Sequence, residues 1–340
     1  MTDGVLLIDL DGRTHPNLAL MHISTWKKGE GYRTGWDIAD PEEVYASCVF
    51  DWHRHNADGL RFIYPQAKID IGGGGIDLTK ALPQEVDLLM PDYDLYPGID
   101  FDIGTTTKGC IRNCPFCVVP RKEGAFRIHQ HPREFHRQGH RKIVLQDNNI
   151  LADRDWFFEV TDWMLANKMK ADFNQGLDLR LMTEEIAERI AELRPIDQWH
   201  FAFDSLAYRP AVERGIALLK KAGVDMRHRA NVYVYMHDNA DFDSALERCN
   251  ILRGMQCLPY IMRNRNAPYT PRMKRLKRWT RPQIFWSTEF RDYEGAKRRS
   301  VCFKHDWSVE KLRIRFEKEL RAEREQTALD RYTEMGMNDD

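Results

Sequence analysis

Residues 101–117, FDIGTTTKGCIRNCPFC, carry the feature around which the rest of the chain can be read. The run 101–107 is an expected strand, and it passes almost directly into Cys110, Cys114 and Cys117, spaced C-x3-C-x2-C. Three thiolates on one short loop can each hold an iron of a cubane cluster, which leaves the fourth iron without a protein ligand. An open metal position can bind and activate a small molecule, as an open zinc position does. Zinc is the alternative, because His129, His131, His136 or His140 can supply a fourth ligand downstream. A structural zinc would usually show a second paired knuckle, and none of these histidines is paired with a cysteine in the sequence. The triplet is therefore read as an iron–sulfur loop.

Outward from the loop, strand and helix alternate. Strands are expected at 142–146, 171–175, 200–204, 229–236 and 256–263, and amphipathic helices at 155–167, 183–193, 209–222 and 242–253. Counting 101–107, the chain shows six strand–helix units, which implies α/β architecture with parallel strands and right-handed crossovers. Six units suggest a partial (β/α)6 barrel, with active groups at the carboxyl ends of its strands. Upstream, 5–8, 44–50 and 69–71 are expected strands, 17–26 a helix, and the glycines at 29, 31 and 35 a loop, together making an open parallel sheet. The turn-rich stretch 91–98 is a candidate link, so three segments are expected: 1–94, 95–265 and 266–340. Within the last, 264–306 looks irregular and basic, and 308–335 forms one charged helix.

Composition narrows the class of protein. The 340 residues carry 51 Lys and Arg against 52 Asp and Glu, a net charge of −1, with 42% apolar and 11% aromatic residues. That apolar content is too high for a disordered chain. No apolar run approaches the length needed to span a bilayer. The first twenty residues hold Asp3, Asp9 and Asp11 and no basic leader, so a cytoplasmic protein away from membranes is expected. The seven cysteines are an odd number, which argues against a disulfide framework. Cys48, Cys249, Cys257 and Cys302 are read as small buried residues.

The cysteine spacing, the aromatic Phe116 before the last cysteine, and the six strand–helix units together resemble the radical S-adenosylmethionine superfamily over about residues 95–265. The resemblance implies a [4Fe–4S] cluster on Cys110, Cys114 and Cys117 whose unique iron chelates S-adenosylmethionine. It implies reductive cleavage to a 5′-deoxyadenosyl radical, with the electron supplied by a donor such as flavodoxin or ferredoxin. The polar end of the second strand, Gln146, Asp147 and Asn148, is similar to the family motif that binds the methionyl amino group, with Asp147 accepting from the ammonium. At the third strand end, Arg180 suits the methionyl carboxylate, and Gln175 and Asp178 suit the ribose or the substrate. The plainer alternative there is a surface ion pair between Asp178 and Arg180. Asp204, after the fourth strand, would point into the barrel mouth, or else cap the following helix. Phe116 would pack on adenine, while Tyr233 and Tyr235 are read first as core residues.

The first segment resembles the cobalamin-binding Rossmann-type domain of one branch of that superfamily. The D-x-H-x-x-G pattern of base-off cobalamin proteins is missing after the first strand, and Asp51-Trp52-His53 has Asn56 where glycine belongs, so bound cobalamin is not expected. Gly72–Gly75 is read as a tight turn. Two basic stretches suggest a nucleic-acid or phosphorylated substrate: 121–142, and 263–281, which has eight Lys or Arg, no acid, and Tyr269 and Trp279 interleaved. The competing readings are a cobalamin-dependent radical methylase and a non-catalytic zinc-knuckle nucleic-acid-binding module.

Overall fold

A computed structural model describes residues 4–296. The helix expected at 308–335 and Cys302 lie outside those residues. The described residues up to Ser287 belong to one compact unit, and Thr288 opens a second.

The chain begins with β1 (Gly4–Asp9), α1 (Leu18–Gly29), β2 (Arg33–Gly35), β3 (Glu43–Ser47), α2 (Leu60–Ile63), β4 (Lys68–Gly72) and α3 (Gln84–Asp87). The four strands form a parallel sheet in the order β2-β1-β3-β4. The short strand β2 replaces part of the loop expected around Gly31 and Gly35. Three residues are too few for alternation to show in sequence, yet Thr34 lies in register with Val5 at the sheet edge. Asn17 caps α1, its side-chain oxygen accepting from the Leu20 amide at 3.3 Å. Gly73 and Gly75 let the turn pass under β3's exit: a Cβ on Gly73 would meet the Cys48 carbonyl oxygen at 2.3 Å.

The elements that follow are β5 (Asp102–Gly104), β6 (Thr107–Lys108), α4 (Val119–Lys122), β7 (Arg127–Ile128), β8 (Lys142–Leu145), α5 (Arg154–Ala166), β9 (Lys170–Phe173), α6 (Glu184–Glu192) and β10 (Arg194–Pro195). After them come β11 (Trp199–Ala202), α7 (Arg209–Lys221), β12 (Ala230–Met236), α8 (Phe242–Gly254), β13 (Leu258–Arg263) and α9 (Pro271–Trp279). Strands β10-β9-β8-β5 form one parallel sheet and β11-β12-β13 another. A parallel bridge between Leu177 and Phe201 joins the two, with the Leu177 amide donating to the His200 carbonyl at 2.7 Å. Strands β5, β8, β9, β11, β12 and β13 thus follow one another in chain order with all carboxyl ends on the same side. Among the described residues no pairing joins β13 back to β5.

Local sequence accounts for the helices. Asp153, Thr183 and Thr270 each accept a backbone N–H at the start of α5, α6 and α9. Gly223, at φ +95°, follows the end of α7 in the left-handed conformation that glycine adopts without strain. Helix α9 corrects the reading of 264–306 as irregular. Its buried Met273, Leu276 and Trp279 recur at helical spacing, but Arg272, Lys274, Arg275, Lys277 and Arg278 between them swamp the apolar signal. No helix among the described residues is long and apolar enough to cross a membrane.

The stretch between the first sheet and β5 is firmly packed. Tyr93, Leu95 and Tyr96 share a core with Val5, Leu7, Leu20, Met21 and Ile103. The Tyr93 hydroxyl donates to the Phe135 carbonyl at 2.9 Å and accepts from the Ile103 amide at 3.1 Å. Asp92 is buried and pairs with Lys28 at 2.7 Å.

His22 on α1 is 3% exposed, and its Nδ1 has no hydrogen-bond partner among the described residues. Burial lowers the imidazole from its ordinary 6.5 to about 4, against the opposing pull of Asp87. The folded chain therefore holds His22 neutral where the unfolded chain already binds a proton. Stability is complete above pH 6.5 and falls as the pH drops towards 4, by on the order of 3 kcal/mol. In urea titrations across that range, His22→Leu should show a shallower acid decline. His129 and His131, also lowered by burial, keep part of the slope.

Candidate functional site

The site is built at the carboxyl ends of β5, β8, β9, β11 and β12. Its base is Asp147, directly after β8 and only 5% exposed. The Asp147 carboxylate accepts from the Thr106 amide at 3.1 Å, from the Thr106 and Thr107 hydroxyls at 2.6 Å each, and from the Thr107 amide. Burial pushes its pKa up, and these four donors oppose the rise. The effect on the chain path is to turn it sharply after β5. The strand expected at 101–107 consequently splits into β5 and β6, and β6 pairs antiparallel with β7, Thr107 with Ile128 and Lys108 with Arg127.

Residues 109–126 therefore form a loop closed at its neck, and this loop holds all three clustered cysteines. Gly109 has φ +72°, and a Cβ on it would meet the Ala125 carbonyl oxygen at 2.2 Å, so the neck requires glycine. Glu123 completes the closure: its Oε2 accepts from the Gly109 amide at 2.9 Å and from Asn148 Nδ2 at 2.7 Å.

Cys110, Cys114 and Cys117 are all partly buried. Backbone amides point at two of the sulfurs, Arg112 N to Cys110 Sγ and Val119 N to Cys117 Sγ, both at 3.4 Å. Asn149 Nδ2 lies 3.8 Å from Cys110 Sγ. Burial pushes the Cys114 and Cys117 thiols up, and Arg180 pulls Cys114 the other way; each of the two also responds to the charge of its neighbouring thiols. Among the described residues no group of three or more His, Cys, Asp or Glu side chains stands in ready-made metal-binding geometry. The donor chemistry nonetheless fits a cluster. Three thiols share one loop, amide donors reach two of their sulfurs, and the buried Asn149 Oδ1 beside them has no partner among the described residues.

Opposite the loop, after β9, Asp178 is the hub of a charge network. It accepts from Arg180 Nε at 2.6 Å and Nη2 at 2.9 Å, and from Arg112 Nε at 3.0 Å. Asn149 Nδ2 approaches it at 3.4 Å. Burial opposes the carboxylate's charge, but the bonds from Arg180 and Arg112 outweigh it and hold the pKa below the ordinary value. Asp178 and Arg180 thus pair with each other, but not as the surface salt bridge of the plainer alternative, because both side chains are largely buried. Arg180 also stacks over Tyr208, 4.4 Å from the ring centre. Because Arg112 lies between Cys110 and Cys114, its bond to Asp178 ties the cysteine loop to the end of β9.

The remaining candidate residues divide. Phe116 stacks face to face on Tyr235 at the end of β12, with ring centres 4.3 Å apart and planes 19° from parallel. Asp204 accepts from the Tyr235 amide at 2.9 Å, and burial pushes its pKa up. It does not cap the next helix, because Ser205 does so, its Oγ accepting from the Ala207 amide at 3.3 Å. Gln146 is half-buried and uses its backbone N–H on the Gly104 carbonyl at 2.9 Å. Gln175 is exposed on the turn after β9. Asp147 and Asn148 serve the base of the cysteine loop.

Asn149, Arg112, Glu123 and Arg248 were not singled out from sequence. Asn149 directly follows the polar strand end 146–148, and Arg112 lies inside the cysteine motif, so both stand in stretches the sequence already marks. Arg248 gives no such signal, since it is one more cation on an amphipathic helix. It is fully buried and donates to the Phe203 carbonyl at 3.1 Å, the Tyr235 carbonyl at 2.8 Å and Asp241 at 3.0 Å. It thereby fixes the strand ends that carry Asp204 and Tyr235. In the first sheet, His53 Nδ1 lies 2.8 Å from Asp11 Oδ1, and Asn56 Nδ2 donates to the Leu10 carbonyl at 2.8 Å. Comparison with protein-family models and with curated proteins finds no match to this chain.

Asp147→Ala should leave two buried amides without acceptors, at about 1–3 kcal/mol each. The urea midpoint should fall accordingly, while Asp147→Asn, which keeps one acceptor oxygen, should lose less.

Proposed function

We propose that the chain is a radical S-adenosylmethionine enzyme, with Cys110, Cys114 and Cys117 as the protein ligands of a [4Fe–4S] cluster. The observation that carries the reading is the linkage of the three-thiol loop, through Arg112, Asn149 and Arg180, to Asp178 at the carboxyl ends of successive parallel strands. When bound, such a cluster supplies the electron that cleaves S-adenosylmethionine reductively, after being charged by an external one-electron donor of the flavodoxin or ferredoxin class.

The chain's own residues supply binding and orientation. Asn149 Oδ1 is a buried acceptor without a partner, the chemistry an ammonium group requires. Asp147 is less suited to that task, because its oxygens already serve Thr106 and Thr107. Arg180 spends its Nε and Nη2 on Asp178, which orients it, and the remaining Nη edge of the guanidinium can meet a substrate carboxylate. Phe116, 37% exposed and stacked on Tyr235, presents a ring edge and face to an adenine. Asp204 stands beside Cys114 and Cys117 with a carboxyl that burial favours in its neutral form.

Anaerobic reconstitution with iron and sulfide tests the assignment. The wild-type chain should take up about four irons, Cys114→Ala should lose most of that iron together with reductive cleavage of S-adenosylmethionine, and Cys249→Ala, changed in the buried core, should keep both. Stoichiometric zinc without iron after anaerobic purification, or full cleavage by Cys114→Ala, would refute the reading. Asn149→Ala should retain iron and bind S-adenosylmethionine more weakly.

A further inference from the structure

We propose that Arg263, Arg265 and Lys277, with the ring faces of Trp52 and Tyr260, form a binding site for single-stranded nucleic acid beside the cysteine loop. The proposal names a substrate class for the reading above and rests on it only for what happens to a bound strand.

Strand β13 ends at Arg263, which lies in register with Met236 of β12, and the preceding Met262 lies beside Tyr235, on which Phe116 stacks. The basic residues that follow β13 therefore emerge next to the loop that holds the thiols. Lys277 comes back from α9 to β13, its Nζ 5.5 Å from the ring centre of Tyr260, three residues before Arg263, and burial and the charges of Arg265 and Arg263 lower its pKa. Among the described residues no carboxylate forms an ion pair with these three cations. The nearby Asp51 is held by Asn266 Nδ2 at 3.2 Å. Asp51 keeps its charge there without pairing directly with any of the three, and three gathered cations against one carboxylate leave a net positive charge that an outside anion would complete.

In the other basic stretch part of the charge is paired. In 121–142, His136 and Arg137 bind the fully buried Asp102 at 2.7 and 2.9 Å, and Lys142 pairs with Asp100. Several of its cations thus have an internal role, and the structure separates two segments that composition made look alike.

Exposed aromatic rings accompany these cations. Arg265 lies 4.4 Å from the ring centre of Trp52, which stacks on Phe50 at 4.5 Å. Lys277 lies 5.5 Å from the ring of Tyr260. Trp52, Phe50 and Tyr260 are 38, 44 and 45% exposed, a high value for large rings that share a surface. Cations that neutralise phosphates next to rings that stack on bases are the two components of single-strand binding. A duplex keeps its bases stacked on each other and offers these rings nothing, and an acidic peptide answers only the charge.

Anisotropy titrations of the full chain with labelled oligothymidylate and oligouridylate, with and without the reconstituted cluster, test the proposal. Binding should weaken with salt, and Arg263→Gln/Arg265→Gln/Lys277→Gln should lower the log–log salt slope by about 2. Lys277→Gln alone should lower it by about 0.7 if the triple variant does not fold. Trp52→Ala should weaken binding about 10-fold and leave the slope unchanged. An unchanged slope in a folded charge variant, or equal affinity for a duplex or for polyglutamate, overturns the proposal. Iron uptake without oligonucleotide binding overturns it and leaves the enzyme reading intact; binding by a chain that takes up no iron does the reverse.

Discussion

One buried carboxylate organises the candidate site. Asp147 stands at the end of β8, next to the end of β5 only because those strands run parallel and adjacent. With four donors from Thr106 and Thr107 around it, the chain must turn there rather than continue as a strand. That turn starts the β6–β7 pairing, the pairing closes the neck of 109–126, and the closed neck brings three thiols into one loop. A buried carboxylate without these donors would be strongly unfavourable, so the geometry of the turn and the chemistry of Asp147 require one another.

Charge is then distributed with a clear division. Two acidic groups beyond the strand ends are engaged by cations: Asp178 by Arg180 and Arg112, and Asp241 by the buried Arg248. The cations of β13's exit are not engaged in this way. Because buried and half-buried pairs hold their geometry, the first group acts as framework. The near-zero net charge of the chain is the sum of these unlike parts.

Much of the fold was legible because its signals are local. Strand–helix alternation depends on a few neighbouring residues, and the structure shows it in the expected stretches; the caps Asn17 and Thr183 and the Gly223 terminator are local devices of the same kind, with Asn17 standing just outside the helix rather than opening it. Misreadings arose where pairing or mixed composition decided. Strand β2 is too short to alternate, and the cationic surface of α9 hid its buried Met273, Leu276 and Trp279. At the site, residue types were readable but partners were not. Asp147 looks available in sequence, yet it is occupied; Asp204 looks like a cap, yet it holds the Tyr235 amide.

The sequence by itself determined the alternation that makes this an α/β chain with parallel sheets, and the close spacing of Cys110, Cys114 and Cys117, since both rest on periodicity and covalent adjacency. Only the tertiary structure decided which polar residues remain free. Among the described residues Asn149 keeps an unpartnered oxygen, Arg180 is paired, Arg137 of the stretch 121–142 turns inward onto Asp102, and Arg263, Arg265 and Lys277 gather from two elements. The reason is physical: a side chain's availability depends on what the fold sets within about 3 Å of it, and hydrogen-bond reach joins residues far apart in the chain.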